Sequence, residues 1–96
     1  EDRSLLSVEC DSSLLYVVPQ RIDRNASEQE CVFFFRSSTD RDGAVLTVMK
    51  GQTRLLQKRY SHLRPPEMER LTLSLSPEQL SGNEPIVFSL EESHNA

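Results

Sequence analysis

Two histidines are the only side chains in this sequence with an ordinary pKa near neutrality, and neither has the company a catalytic base needs. His94 stands in the polar tail. His62 lies in Tyr60-Ser61-His62-Leu63-Arg64, next to a serine. Adjacent residues on a strand point to opposite faces, so Ser61 and His62 are not expected to form a nucleophile–base pair. His62 therefore reads as a partly exposed polar residue beside a turn. The three glycines, Gly43, Gly51 and Gly82, are isolated, so no phosphate-cradling loop is expected. Asp40 and Asp42 lie close together without a second run of carboxylates, which fits an acidic hairpin tip better than a calcium loop. Cys10, Cys31, His62 and His94 follow no familiar zinc spacing. No catalytic residue, metal site or cofactor is expected, and the chain does not read as an enzyme.

The cysteines bear on location. Cys10 and Cys31 are 21 positions apart, and between them Asn25-Ala26-Ser27 is an N-glycosylation sequon in a polar run. Two readings follow. In a secreted domain an even cysteine count points to a Cys10–Cys31 disulfide, with Asn25 glycosylated and the chain extracellular. In an intracellular domain they are two buried thiols. The sequon's position favours the first. Such a crosslink closes a loop worth about 3 kcal/mol on the chain-entropy model.

Charge is unevenly placed. The formal net charge is −4, yet from Gly43 to Pro66 there is no acid, while Lys50, Arg54, Lys58, Arg59 and Arg64 lie in that stretch. In a hairpin spanning Ala44 to Tyr60, Arg54 and Lys58 share one strand face and Lys50 joins them across the pair. That arrangement offers a face for a sulfated glycosaminoglycan, an acidic protein or anionic headgroups. The alternative is a solvated surface whose cations meet acids from neighbouring strands. Nucleic acid is not an expected partner, because Tyr60 is the lone aromatic in this stretch and the remainder is acidic.

In the elements that hold these residues, alternation of period two dominates. Leu71-Thr72-Leu73-Ser74-Leu75-Ser76 sets three leucines on one face and hydroxyls on the other. Strands are also expected at Leu5–Cys10, Ser13–Val18, Cys31–Arg36, Ala44–Met49, Arg54–Tyr60 and Pro85–Leu90. Gln52 to Leu63 also fits a helical face, with strand preferred. Asp42-Gly43 is expected to close a hairpin and Lys50-Gly51 a second tight turn. Pro65-Pro66 is expected to give an extended connection. Ser76, Pro77 and Gly82 cap, start and close one helical turn. Val32-Phe33-Phe34-Phe35 is apolar on both strand faces. Phe34 therefore either tucks under a loop or marks a partner surface.

About seven short strands in 96 residues make one all-β domain, an antiparallel β-sandwich of immunoglobulin-like or macroglobulin-like kind. Leu, Ile, Val and Phe number 26, enough for a core at this net charge. The ordered part is expected over residues 5–90, with linker-like ends, as in a domain excised from a larger protein. A true immunoglobulin V or C domain is excluded, because Trp is absent and the cysteines are too close in sequence. No apolar run exceeds the five residues of Cys31 to Phe35, too short to cross a bilayer.

Leu15-Tyr16-Val17-Val18-Pro19, followed by a polar stretch and Glu30-Cys31-Val32-Phe33, resembles the opening of macroglobulin-like domains of the alpha-2-macroglobulin and complement family. Arg54-Leu55-Leu56, Leu71 to Leu75 and Ile86 to Leu90 are similar to that domain's closing strands. The resemblance covers Leu14 to Leu90. It implies a seven-stranded sandwich built into a larger extracellular protein, although Cys10 precedes the first matching strand and no thioester or bait region is present. Three expectations of function result: a non-catalytic extracellular module or spacer acting through protein contact, a macroglobulin-like segment of a thioester or protease-inhibitor protein, and a glycosaminoglycan-binding module.

Overall fold

A computed structural model describes residues 5–23 and 29–93. The expected strands form because every second side chain is apolar, and the structure buries that row. In β5 (Ala44–Lys50) Ala44, Leu46, Val48 and Lys50 point inward; in β7 (Glu69–Leu75) Leu71, Leu73 and Leu75 do. The remaining strands are β1 (Leu5–Cys10), β2 (Leu14–Val18), β3 (Arg21–Asp23), β4 (Gln29–Ser37), β6 (Thr53–Tyr60) and β8 (Ile86–Glu92). The short helix α1 (Pro77–Leu80) has Ser76 as N-cap in a reciprocal capping box with Gln79.

The strands form two sheets, ordered β3-β1-β8-β5-β6 and β2-β4-β7. The result is a small all-β sandwich with eight strands where seven were expected. The additional one, β3, has a single apolar residue, Ile22, and is shaped by its antiparallel pairing with β1 at Leu6↔Ile22. The first and last strands, β1 and β8, lie side by side in parallel, with Val8 opposite Ile86 and Cys10 opposite Phe88.

Four rings stitch the sheets together. Phe88 lies 5.1 Å from Phe33 and 6.3 Å from Phe35, and Phe35 meets Tyr60 edge-on at 6.0 Å. Phe33, Phe35 and Phe88 have no exposed surface. One end of the sandwich is closed by polar groups. Arg41 donates from Nε to Ser37 Oγ (3.0 Å) and from Nη2 to the Ser13 carbonyl (3.2 Å), while Ser13 Oγ accepts from the Leu90 amide (2.8 Å). The turn after β1, the end of β4 and the last strand are thereby joined.

Three local expectations are corrected. Asp42-Gly43 does not close a hairpin, because β4 and β5 lie in different sheets; Gly43 (φ +96°) instead turns the chain across the sandwich. Pro65-Pro66 sits in a turn, closed by the Glu67 amide donating to the Arg64 carbonyl (2.9 Å), not in an extended connection. The Cys10–Cys31 disulfide does not form, and both residues are free thiols. Cys10 is on β1 and Cys31 on β4, in opposite sheets. Cys10 shares a cleft with Tyr16, which pairs with Arg36. Cys31 precedes Arg36 by five residues on β4 and is buried, and no bond joins the two sulfurs. The Gly51 turn is as expected. Gly51 (φ +61°) and Gln52 join Lys50 to Thr53 with glycine in the first central position, as a type II′ hairpin prefers.

Candidate binding faces

The basic stretch does not assemble into one face. Between Val48↔Leu56 and Met49↔Arg54 the β5–β6 register shifts, leaving Leu55 as an extra residue in β6. The bulge changes the side-chain parity along the strand. Lys58 pairs with buried Leu46 and so lies on the inward side, its Nζ 5.1 Å from the Tyr60 ring centroid; Arg54 pairs with Met49 on the outer side. Arg54 and Lys58 therefore do not share a face.

Lys50 is removed from the surface altogether. It is 7 % exposed, and its Nζ donates to the Ser81 carbonyl and to Glu84 Oε1 (2.8 Å). Gly82, at φ +87°, leaves room for this pair: a Cβ there would stand 2.7 Å from Glu84 Oε1 and 3.2 Å from Lys50 Nζ. Arg64 is held by Asp42 Oδ1 (2.9 Å) and by the carbonyls of Arg41 and Leu63. Arg59 donates to Ser93 Oγ (3.3 Å) and stands across Val45 from Glu91. With the cations dispersed, the protein is expected to leave a heparin column below physiological salt, and Arg54→Ala, Lys58→Ala and Arg59→Ala together are expected not to change that elution.

The outer face of the three-stranded sheet has a different character. In β4, Phe33 and Phe35 point into the core, so Val32, Phe34 and Arg36 point outward, each half-buried. Phe34 occupies the middle strand, with Val18 on β2 to one side and Arg70 on β7 to the other. Arg36 lies over the Tyr16 ring, 5.7 Å from its centroid, and the Tyr16 hydroxyl donates to Met68 Sδ (3.3 Å). Leu15, Val18 and Met68 are exposed at 56 %, 39 % and 52 %. Aromatic, methionine and arginine side chains are thus gathered on one surface. In the sequence Phe34 alone stands out; its neighbours come from β2, β7 and the segment before β7, which only the sheet pairing brings together.

The reactive groups are spread apart. Burial pushes both thiols above their ordinary value of 9.0, with Asp11 adding to the effect at Cys10, so neither is a ready nucleophile. Burial, helped by Glu69, pushes the Tyr60 phenol up to about 12, and its buried oxygen has no hydrogen-bond partner among the described residues. Ser61 Oγ does approach His62 Nδ1, at 3.4 Å. Strand alternation does not separate them, because β6 ends at Tyr60 and both stand in the exposed turn beyond it. No carboxylate among the described residues orients that imidazole. Asn25 and His94 lie outside the described residues. No group of three or more metal-binding side chains occurs among the described residues, and no described helix is long and apolar enough to cross a membrane. Compared with known proteins, the chain matches no family model and has no significant match to a curated protein or a solved structure.

Proposed function

We propose that the domain is a non-catalytic binding module that engages a protein partner through the outer face of its three-stranded sheet. The observation that carries this reading is the position of Phe34. It stands on the side of β4 away from the core, in the row Val18–Phe34–Arg70, and no described element packs over it as a third layer. Aromatic, Met and Arg side chains are the types enriched where protein interfaces concentrate their energy. An extracellular setting is part of the proposal and rests on the Asn25 sequon, since the cysteines no longer support it. The macroglobulin-like resemblance rests on strand positions that any such sandwich shares, and it does not carry the proposal.

The test compares Phe34→Ala with Arg59→Ala, which lies on the other sheet, in capture experiments from cell-surface extracts. Phe34→Ala is expected to cost only about 1 kcal/mol of stability, as a half-buried side chain outside the core, and to lose a protein that wild type and Arg59→Ala both retain. A captured protein unaffected by Phe34→Ala, together with a large fall in melting temperature, makes Phe34 a structural residue and defeats the reading.

A further inference from the structure

A sandwich of two open sheets has four edge strands, and three of these are blunted in ways that natural sheets use against edge-to-edge pairing. The edge strand β3 is only three residues long. In β2 the register shifts between Leu14 and Tyr16, and Pro19 follows its last residue. In β6 the bulge at Leu55 breaks the ladder and Lys58 points inward. The fourth, β7, is full length and unbroken, and its one inward-pointing charge, Glu69 opposite buried Phe35, stands at its first residue. It pairs with β4 through seven consecutive residues without a register shift, contains no proline or lysine, and has no described strand on its other side.

The sequence of β7, Glu69-Arg70-Leu71-Thr72-Leu73-Ser74-Leu75, is also complementary to itself in antiparallel order. Leucines remain on the core side only in registers that match odd with odd positions, because a slip of one residue turns every side chain to the other face. Among those registers, the one centred on Thr72 pairs all seven residues. Leu71 then stands opposite Leu73 of the second copy, extending the apolar row. Arg70 stands opposite Ser74, Thr72 opposite Thr72, and Glu69 opposite Leu75, so no like charges face each other. Arg70, Thr72 and Ser74 are exposed and free to accept such a neighbour.

We infer that the partner for the β7 edge is a second copy of this chain. The two copies join β7 to β7 about a two-fold axis through Thr72, forming one six-stranded sheet. An isologous contact of this kind closes on itself and does not propagate into a filament. It also places two Phe34 faces on one continuous surface, although the pairing does not depend on what those faces bind.

Sedimentation equilibrium of the whole chain tests this directly. The wild-type mass is expected to rise from 11.0 kDa toward twice that value with increasing concentration. Thr72→Glu and Thr72→Lys each place like charges at the axis and are expected to stay monomeric, with circular dichroism unchanged. Mixed in equal amounts, the two variants are expected to associate again, because opposite charges then meet at the axis. A wild-type chain that stays at 11.0 kDa to its highest soluble concentration overturns the proposal. So does a wild-type dimer that both single variants retain, or one that Phe34→Ala abolishes while the Thr72 variants do not.

Discussion

Phe88→Ala is expected to remove a large part of the stability of the domain, about 3–5 kcal/mol, in urea or thermal unfolding. Phe88 has no exposed surface and sits on β8, which pairs with both β1 and β5. Its ring meets Phe33 and Phe35 across the sandwich at 5.1 and 6.3 Å. Truncation therefore opens a cavity between the sheets, where the backbone on both sides is tied into ladders and relaxes little. A domain of this size has a total stability of about 5–15 kcal/mol, so a loss of this order lowers the melting temperature by roughly 15–30 °C. Phe88→Leu keeps most of the volume and is expected to cost about 1–1.5 kcal/mol. A melting temperature within a few degrees of wild type for Phe88→Ala contradicts this packing.

Lys50→Glu is expected to be nearly as damaging, at about 3–5 kcal/mol, because it sets a second carboxylate beside Glu84 and the Ser81 carbonyl at a position with 7 % exposure. Lys50→Met keeps the aliphatic stem and is expected to cost about 1–2 kcal/mol, because Glu84 is exposed enough to be hydrated while the Ser81 carbonyl loses its donor. The pair also carries a pH signature. Hydrogen bonding to Lys50, with the charge of Lys50 adding to it, holds the Glu84 carboxyl below its ordinary value of 4.5. The unfolded chain therefore binds this proton more readily than the folded one. The stabilisation is present above 4.5 and is lost as pH falls through the lowered folded-state value. The stability difference between wild type and Lys50→Met should accordingly shrink on acidification. A difference that stays constant down through the carboxylate range excludes the ion pair as its origin.

The strands were legible because they are local. In Leu71 to Leu75 and Ala44 to Lys50 the apolar period of two is a property of neighbouring residues and survives whatever those strands pair with. The same holds for the capping box of α1, where Ser76 and Gln79 are three positions apart. The binding faces were much less legible. One inserted residue, Leu55, reverses the side-chain parity of β6, so Arg54 and Lys58 part company although their spacing is even. Lys50 carries the most polar head group in β5, yet it occupies an inward position of that strand, with Ser81 and Glu84 waiting more than thirty positions away. Cys10 and Cys31 are close enough in sequence to bridge, but they fall on opposite sheets and are not bonded.

By itself, then, the order of amino acids determined which segments extend, where the chain turns at Gly51 and where one helical turn is capped. Each of these depends on a few adjacent side chains and on local backbone sterics. Tertiary structure alone decided that β1 lies parallel to β8, that β4 and β5 part into separate sheets, that Tyr16, Val18 and Phe34 share a surface, and that no described strand pairs with the second edge of β7. Those outcomes depend on pairings between distant segments, where a shift of one residue changes which side chains meet, and no local pattern specifies them.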